Sequence, residues 1–438
     1  MPPIGAALFI WGLFAVVQLD EKERFLELCL AYSASFVGYL LLLGKNKRIS
    51  ESQFLFLSLV GIGICFLYPP FLSNDFFRFF WDGEMMHQGI NPYDFTPIEI
   101  LENQLVEGCH FLDLFAGMGE LSQTNYSCYP FFNQVYFYLG TLFSNDLWDQ
   151  IFTTRILFLL TFYLLYTQGQ QLLKKLGIPQ KNLFLFLLNP LFLVESFGNL
   201  HFEIAMVTFV VWALNLLAKG NNSFSAVALG IAVQIKLIPL LLFPFLLQYL
   251  NWRKTFIYGC ILFAFVLVTS LFLIDSGNWA NFQQSLRLYF KVFEFNSILL
   301  YQYLNFGRWK YGFDMTRHFA PRLAYLAGGW IVSLALFGIP RDLRATIEKM
   351  LVGVCIYLSL TSTVHPWYWI FPLCLSIVRP YYSLTLMTLA SFFSYGLYTQ
   401  GFRGDFNDLL NYINLALLVF FVAELIWNKK KSISPIFG

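Results

Sequence analysis

Apolar segments of helical length recur along the whole chain, and they are the feature that most restricts how it can fold. They lie at residues 4–18, 25–44, 53–70, 151–173, 182–198, 203–218, 224–250, 255–274, 321–338, 345–364, 366–379, 381–399 and 408–427. A helix satisfies its backbone hydrogen bonds internally, which suits it to a bilayer core that contains no water. An upright crossing takes about 20 residues, so we expect the shorter runs to be broken or re-entrant. The pattern predicts an all-α, polytopic transmembrane bundle.

The composition agrees with a membrane protein and narrows the possible partners. The 438 residues are 58% hydrophobic, 20% aromatic and 12% charged, whereas a soluble domain has about 25% charged residues. The mean hydropathy is +0.60. A net charge of +2 is too small to favour nucleic acid as a partner. We therefore expect contact with membrane lipid and no binding of nucleic acid.

Basic residues in the short connections set the expected orientation. Lys and Arg concentrate on the cytoplasmic side of membrane proteins, and placing the basic clusters there requires segment 224–250 to cross twice. The two half-spans would meet at residues 236–239, where Pro239 breaks the helix. The chain then forms one domain over residues 1–438 with about 12–14 spans or half-spans and both termini inside. Five polar segments fall together on the outer side: 75–150, 198–203, 236–239, 275–320 and 365–368.

The first outer loop, residues 71–150, joins the third and fourth spans and is too long to lack structure. Its many aromatic residues predict short amphipathic helices that lie along the membrane surface. Cys109 and Cys128 both fall in this loop. A disulfide between them would persist outside the cytoplasm, but one pair of cysteines leaves the pairing open.

The second outer loop, residues 275–320, is basic on a side where basic residues are normally few. It carries Arg287, Lys291 and Arg308. One explanation is that the loop binds an anionic group such as phosphate, which Arg and Lys match well. The other is that long loops escape the charge rule, or that these residues meet lipid headgroups.

A polar segment directly follows the third apolar run. It contains, in order, Asp75, Arg78, Trp81, Asp82, Asn91 and Tyr93. An ionised side chain beside a bilayer is costly unless it lines a wet cavity, so these carboxylates are candidate functional groups. The alternative is that Asp75 caps a helix and that Asp82 pairs with Arg78 four residues earlier.

Three further polar groups interrupt apolar runs on the outer side. They are Glu195, Asn199, His201 and Glu203; Lys236; and His365, Trp367 and Tyr368. A metal site would need more His or Cys nearby, so the first group favours hydrogen bonding to a hydroxylated ligand over metal binding, with helix capping as the alternative. Lys236 either reaches to the membrane interface or neutralises a buried anion. The aromatic residues of the third group could equally belong to the interfacial belt.

Common nucleotide and hydrolase signatures are missing from the sequence. No Walker sequence, dinucleotide fingerprint, HExxH or GxSxG elbow occurs in a fitting context. The substrate must reach a cavity on the outer side, where nucleotide sugars are scarce. A lipid-linked donor would fit such a cavity.

The order of these polar residues resembles that of a known family. The shared residues are Asp75, Arg78, Trp81, Asp82, Gly89, Asn91, Tyr93, Tyr129, Glu195, Asn199, His201, Lys236, His365, Trp367 and Tyr368. This order of residues resembles that of the bacterial polyprenyl-phosphate-mannose-dependent mannosyltransferases, which are multi-span enzymes of the GT-C class. The resemblance extends from about residue 70 to about residue 380. The resemblance implies an enzyme of the bacterial cytoplasmic membrane with its active site facing outward. It would move a hexose, most simply mannose, from a polyprenyl-phosphate donor to a hydroxyl group of a glycan or lipid acceptor.

The resemblance also implies a role for each residue. Asp75 would act as general base on the acceptor hydroxyl, with inversion at the anomeric carbon. Substrate contacts would come from Arg78, Trp81, Asp82, Asn91, Tyr93, Tyr129, Glu195, Asn199, His201, Glu203, His365, Trp367 and Tyr368. The donor phosphate would be met by Lys236, Arg287, Lys291 and Arg308. No cofactor is implied, although Asp75, Asp82 and Glu195 could reach a divalent metal if the fold converges them.

Two departures from the family pattern concern the identity of the sugar more than the reaction. Glu203 stands where relatives often have Asp, and Phe131 follows Pro130 where a second Pro is common. Two other functions remain open from the sequence. A transporter or flippase of lipid-linked sugars could show the same broken spans, although no clear internal repeat is present. A family member that only binds a partner is the third possibility.

Overall fold

The computed structural model describes residues 2–19, 24–44, 49–291, 293–313, 315–337, 342–399 and 404–430. Its α-helices are α1 Pro2–Gln18, α2 Phe25–Leu43, α3 Glu51–Cys65, α4 Asp75–His87, α5 Pro97–Glu102, α6 Cys109–Gly117, α7 Glu120–Gln123, α8 Phe131–Gly140, α9 Leu147–Lys175, α10 Leu183–Leu187, α11 Pro190–Leu193, α12 Glu203–Ala218, α13 Asn222–Ile235, α14 Leu246–Leu250, α15 Trp252–Ser270, α16 Trp279–Lys291, α17 Leu299–Tyr311, α18 Thr316–Leu336, α19 Leu343–Leu360, α20 Ile370–Leu375, α21 Tyr382–Phe392 and α22 Asp405–Lys430. The described residues form no strand, which confirms the all-α prediction.

Tighter or wider helical turns join several of these helices. The 3₁₀ segments are Gln180–Asn182, Ile238–Phe245, Pro366–Trp369, Ser376–Val378 and Phe393–Tyr398, and Val194–Gly198 is a π-helical turn. Pro239 and Pro244 lie in the second of these segments, where each removes a backbone donor that an α-helix would use. Such turns are common at breaks in helices, and here they divide the apolar runs into the shorter pieces expected from the sequence.

Five helices of the described chain are long and apolar enough to cross a membrane. They are α2, α9, α15, α18 and α22. The helical pair Pro190–Gly198 and Glu203–Ala218, bent by 116°, raises the number to six if it counts as one span, and shorter apolar helices fill the bundle between them. The chain is therefore a polytopic helical membrane protein, as predicted. The larger number of crossings and half-crossings expected from the sequence remains a prediction, since it depends on where the short pieces lie in the bilayer.

The bend between α11 and α12 is held by a buried cation. Arg155 of α9 donates hydrogen bonds to the carbonyl oxygens of Phe197 at 2.7 Å, Tyr68 at 2.8 Å and Gly198 at 3.3 Å. Carbonyl groups at the end of a helix have no partner within it, and in lipid they must find one inside the protein. Arg155 thus makes it possible for the chain to turn sharply before His201.

The predicted break near Pro239 is confirmed. α13 ends at Ile235, and Lys236 has extended backbone angles of φ −145° and ψ 141° before the 3₁₀ segment begins. The chain continues to Asn251, which has φ +67°, and α15 begins at the next residue. The N–H of Lys236 still donates to the carbonyl oxygen of Ala232 at 3.1 Å, but the chain leaves the helix at this residue, and its side chain faces a cavity.

Five short helices, α4 to α8, form between residues 71 and 146, which confirms the short helices predicted for this loop; their position along the membrane surface remains a prediction. α4 packs against α6 and α8, and Gly83 makes this close approach possible because an added Cβ would lie 2.5 Å from the carbonyl oxygen of Phe137. Cys109 carries a free thiol at the exposed start of α6. The disulfide with Cys128 that the sequence left open is therefore not formed.

Candidate functional site

A cavity of about 550 Å³ opens where four separate parts of the chain meet. They include the start of α4, the start of α8, the turn before α12 and the break after α13, and the wall is completed by residues from 361–368 and 395–398. Its polar and aromatic lining includes Asp75, Tyr129, Asn133, His201, Lys236, Tyr357, His365, Trp367, Tyr368, Tyr395 and Tyr398. Size and lining are typical of a site for a small or extended organic ligand.

Asp75 is the carboxylate that reaches this cavity. It is the first residue of α4, and its side chain is 35% exposed. Its Oδ2 lies 3.6 Å from Nε2 of His201. Burial acts to raise the pKa of Asp75, but the neighbouring His201, His365 and Lys236 outweigh it and hold the pKa below the ordinary value. Asp75 is therefore a carboxylate at neutral pH, open to the cavity on one side.

The ring of His201 is held in place from behind by Glu195. Nδ1 of His201 lies 2.8 Å from Oε2 of Glu195, and both residues are buried. The hydroxyl of Tyr395 donates to the Glu195 carboxylate, 2.9 Å from each oxygen, and the amide of Asn199 donates to Oε2 at 3.0 Å. Because one ring nitrogen is anchored, the other faces Asp75.

An aromatic stack supports the same ring on its face. The centroids of His201 and Trp367 are 3.6 Å apart with their planes 26° from parallel. His365 lies on the other side of Trp367 at 4.5 Å, and its Nδ1 is 3.1 Å from the hydroxyl of Tyr398. Phe295 continues the stack at 4.9 Å from His365. The stack keeps both histidines at the cavity wall.

Lys236 supplies a positive charge to the cavity. Its Nζ forms an ion pair with Oε1 of Glu203, the first residue of α12, and lies 5.4 Å from the ring centroid of Tyr368. The side chain of Lys236 is 20% exposed, whereas that of Glu203 is buried. Oε2 of Glu203 has no hydrogen-bond partner within the described chain. Lys236 is thus oriented by a buried carboxylate and can meet an anionic group in the cavity.

The structure brings many of the sequence-predicted residues to this site. Those lining the cavity are Asp75, Tyr129, His201, Lys236, His365, Trp367 and Tyr368. Glu195 and Glu203 lie directly behind and contact lining residues, and Asn199 accepts a hydrogen bond from the backbone N–H of Leu72, which lines the cavity. The structure therefore places some of the predicted substrate contacts at the cavity surface and others one residue behind it.

Arg78 and Asp82 are not among the described cavity-lining residues. They form the ion pair that the sequence offered as the alternative to a role in substrate binding. Nε of Arg78 is 2.7 Å from Oδ1 of Asp82, and both side chains are buried. Arg78 also donates to the carbonyl oxygens of Ser122 and Asn125, at 2.6 and 2.8 Å, and the hydroxyl of Ser127 donates to Asp82. The pair therefore fastens the segment after α7 to α4, which supports the position of the cavity wall.

The side chains of Trp81, Asn91 and Tyr93 are bound to other parts of the protein and are not among the described cavity-lining residues. Trp81 is buried against Phe111, and the amide of Asn91 donates to the carbonyl oxygen of Leu273 at 2.6 Å. The hydroxyl of Tyr93 donates to the backbone of Tyr129, which does line the cavity. These three residues connect the short helices of the loop to each other and to the end of α15.

Two of the four predicted phosphate ligands are absent from the described cavity lining. Arg287 and Arg308 are exposed, and neither is among the lining residues in the described part of the chain. The side chain of Lys291 lies outside the described residues. Lys236 is the one residue of this predicted set that the structure places at the cavity wall.

Several cavity residues were missed by the sequence analysis. Tyr395 and Tyr398 sit near the end of the apolar run 381–399, where tyrosines three residues apart were a signal that could have identified them. Asn133 is fully buried at the cavity, and neither its Nδ2 nor its Oδ1 has a hydrogen-bond partner among the described residues. Such an amide is suited to bind hydroxyl groups of a ligand.

No group of three or more His, Cys, Asp and Glu residues in the described ranges is arranged to hold a metal ion. Asp82 is separated from the other two predicted carboxylates by its pairing with Arg78. The convergence of Asp75, Asp82 and Glu195 on one ion, which the sequence left open, is not found.

A comparison of the sequence with models of known protein families finds a match to one family. The model of the MptA_B family, described as alpha-(1->6)-mannopyranosyltransferase, N-terminal domain, matches residues 29–251, slightly more than half of the chain. The matched range includes Asp75, Glu195, His201 and Lys236. No curated protein and no solved structure matches the chain.

Proposed function

Since the chain belongs to the alpha-(1->6)-mannopyranosyltransferase family, and so is a membrane mannosyltransferase of GT-C type, we propose that its donor is a polyprenyl-phosphate mannose. The acceptor is a hydroxyl group of a glycan or lipid, and transfer inverts the anomeric carbon. One observation carries this proposal: an ionised carboxylate, Asp75, and a cation, Lys236, line the same cavity in a helical membrane protein. The membership in a family of enzymes argues against the transporter and binding-only alternatives.

The two charged groups serve the two ends of a single displacement. Asp75 accepts the proton of the acceptor hydroxyl while that oxygen bonds to the anomeric carbon from one face. The bond from the anomeric carbon to the phosphate oxygen breaks on the opposite face, which inverts the stereochemistry. The leaving polyprenyl phosphate carries away the electron pair, and Lys236 stabilises its developing negative charge.

His201 acts on Asp75 and is a positioning residue in this scheme. With Nδ1 bound to Glu195, its Nε2 faces Asp75 at 3.6 Å. This contact favours the ionised form of Asp75 and restricts the rotation of its carboxylate. Tyr395 stabilises Glu195 in turn, so His201, Glu195 and Tyr395 together orient the proposed base.

The distribution of charge supports an active site on the outer face of a bacterial cytoplasmic membrane. α9 begins after the loop that contains Asp75 and ends with Lys174 and Lys175. A 29-residue helix is about 44 Å long, enough to separate the cavity from these lysines by a full bilayer. Basic residues favour the cytoplasmic side, which leaves the cavity on the other.

Transfer assays with the purified full-length protein in detergent test the proposal. Polyprenyl-phosphate mannose and polyprenyl-phosphate glucose are offered in parallel, with a panel of glycan and lipid acceptors. We expect mannose transfer, and a fall of about 100-fold or more in Asp75→Asn, because general-base catalysis contributes roughly that much. Donor binding should persist in this variant.

Asp113→Asn is the matched control, since Asp113 is an exposed aspartate of α6 in the same loop. It should transfer mannose at the rate of the unmodified protein. Near-normal transfer by Asp75→Asn would overturn the assignment of the base, and retention of configuration in the product would overturn the single displacement.

A further inference from the structure

A second cavity, of about 780 Å³, lies at the other end of the bundle. Its wall is formed by the segment after α9, the start of α19, the segment that leads into α21 and the last turns of α22. The lining includes Asn182, Arg344, Arg379, Tyr382, Glu424 and Trp427. None of these residues takes part in the site around Asp75.

Helix α19 separates the two cavities along the bundle. α19 begins at Leu343, beside Arg344, and ends at Leu360, just before the residues that line the first cavity. Its 18 residues are about 27 Å long, so the two cavities lie about that far apart. The chain then returns from Pro366 to Arg379 and reaches the second cavity again.

Two neighbouring arginines supply positive charge to one wall of the second cavity. Nε of Arg379 is 3.1 Å and Nε of Arg344 is 3.6 Å from the same oxygen, Oε1 of Glu348. Two guanidinium groups therefore share one carboxylate, and both are partly exposed. The planar donors of Arg suit a phosphate group, which accepts several hydrogen bonds at once.

The other carboxylate at this cavity is already occupied. Glu424 accepts hydrogen bonds from the backbone N–H groups of Tyr382 and Ser383, at 3.0 and 2.9 Å, and from the hydroxyl of Ser383. It thereby satisfies donors at the start of α21 that have no partner within the helix. Glu348 and Glu424 together balance the two arginine charges, but the oxygens of Glu424 are hydrogen-bonded to the helix end.

A buried acceptor in the cavity wall lacks a donor. Asn182 is 1% exposed, and its Nδ2 donates to the carbonyl oxygen of Ile377 at 3.1 Å. Its Oδ1 has no hydrogen-bond partner within the described chain. A buried polar atom without a partner is uncommon in a native protein and indicates an additional ligand, here one that offers a hydroxyl group.

Apolar surface continues from the cavity towards lipid. Phe420, Tyr382 and Trp427 line the cavity and are 40%, 56% and 58% exposed. In a membrane protein, aromatic side chains at this level meet the boundary between headgroups and acyl chains. A ligand held here therefore has a polar end inside the cavity and an apolar end outside it.

We propose that the second cavity binds a membrane phospholipid whose headgroup carries a phosphate and a hydroxyl group. The phosphate lies between Arg344 and Arg379, the hydroxyl donates to Oδ1 of Asn182, and the acyl chains lie along the aromatic residues of α22. Phosphatidylglycerol has this chemistry. Because none of the lining residues belongs to the first site, the proposal does not depend on the donor or acceptor of mannose transfer.

Native mass spectrometry of the delipidated full-length protein in detergent tests the proposal. We expect more retained phosphatidylglycerol than phosphatidylcholine, and a loss of at least about tenfold in retention when Arg344→Gln and Arg379→Gln are combined, since charge-assisted hydrogen bonds contribute 1.4 kcal/mol or more. The double variant with Lys at both positions should retain most of the lipid. Arg253→Gln with Lys254→Gln, which changes exposed charges at the start of α15, is the control and should leave retention unchanged.

A second variant tests the hydroxyl contact and remains informative if the double variant fails to fold. The unmodified protein should retain phosphatidylglycerol in preference to phosphatidylmethanol, which lacks the hydroxyl, and Asn182→Leu should remove this preference. Phosphatidylglycerol should raise the melting temperature of the protein, and inorganic phosphate should leave it unchanged. Equal retention of phosphatidylcholine, no effect of either variant, or stabilisation by inorganic phosphate alone would each overturn the proposal.

Discussion

Two aspartates in one short helix show how neighbours decide what a residue does. Asp75 and Asp82 lie seven positions apart in α4 and have the same chemistry. Asp82 is buried and paired with Arg78, so its charge is neutralised and it fastens the loop. Asp75 is open to a cavity and faces His201, so it is the carboxylate that a substrate can reach.

Replacement of His201 tests its action on Asp75. In His201→Gln the positive partner is lost, so the pKa of Asp75 rises, and the carboxylate is protonated at a higher pH than in the unmodified protein. As pH falls, transfer should therefore fail earlier, and the acid limb of the pH–kcat profile should move to higher pH. At neutral pH we expect a loss of up to about 100-fold in kcat, the scale found when a reacting group is misplaced by about 1 Å.

His318→Gln is the control for this experiment, because His318 is exposed in α18. Its pH profile should match that of the unmodified protein. An acid limb that stays in place in His201→Gln would show that His201 supports the wall without acting on Asp75.

At the scale of elements, broken helices build the site. The sharp turn before α12 presents His201, and the interruption after α13 presents Lys236. Each break exposes backbone groups that lipid cannot satisfy. The protein satisfies them locally, in the first case through the three hydrogen bonds of Arg155.

Loss of Arg155 should destabilise the bend and the site together. Arg155→Met removes hydrogen bonds from a charged donor to three carbonyl groups, of which each contributes about 1.5–3 kcal/mol. We expect a lower melting temperature in detergent, with transfer lost in parallel. Arg287→Met, at an exposed position of α16, should melt at the temperature of the unmodified protein, and an unchanged melting temperature in Arg155→Met would contradict the role given to this residue.

At the scale of the whole molecule, the bundle has two ends, and the cavity around Asp75 lies at one of them. Lys236 lines this cavity. Leu273 lies at the same end, because its carbonyl oxygen accepts a hydrogen bond from Asn91 in the first loop. The chain between them reaches its far point near Asn251, from which the 19-residue α15 returns. Gln248 supports this arrangement by donating to the carbonyl oxygens of Leu334 and Ala335 near the far end of α18.

A reporter fused after Asn251 tests the orientation that these ends imply. We expect a cytoplasmic signal, since Arg253 and Lys254 follow at once and basic residues favour that side. A fusion after Gly277, between α15 and α16, should give the opposite signal. A periplasmic signal at Asn251 would contradict both the double crossing of segment 224–250 and the outward-facing site.

Local sequence was sufficient to predict the helical class, the break at Pro239 and the short helices of the first loop. Apolar runs, helix-breaking prolines and loop length act over a few residues, so their effects can be predicted without a fold. The residue order also identified Asp75, His201 and Lys236, which the structure brings to one cavity. Their roles in catalysis remain proposals.

Tertiary packing decided which polar residues meet. Tyr395 contacts Glu195 across 200 residues of sequence, and no periodicity in either segment specifies that contact. The four-residue spacing of Arg78 and Asp82 allowed their ion pair, but only the fold brings the carbonyl groups of Ser122 and Asn125 to Arg78 and so keeps the pair away from the cavity. A buried polar side chain takes the partner that the surrounding helices bring within hydrogen-bond distance, because leaving it without one is costly. Helix formation is local, whereas that choice of partner depends on the packing of the whole bundle.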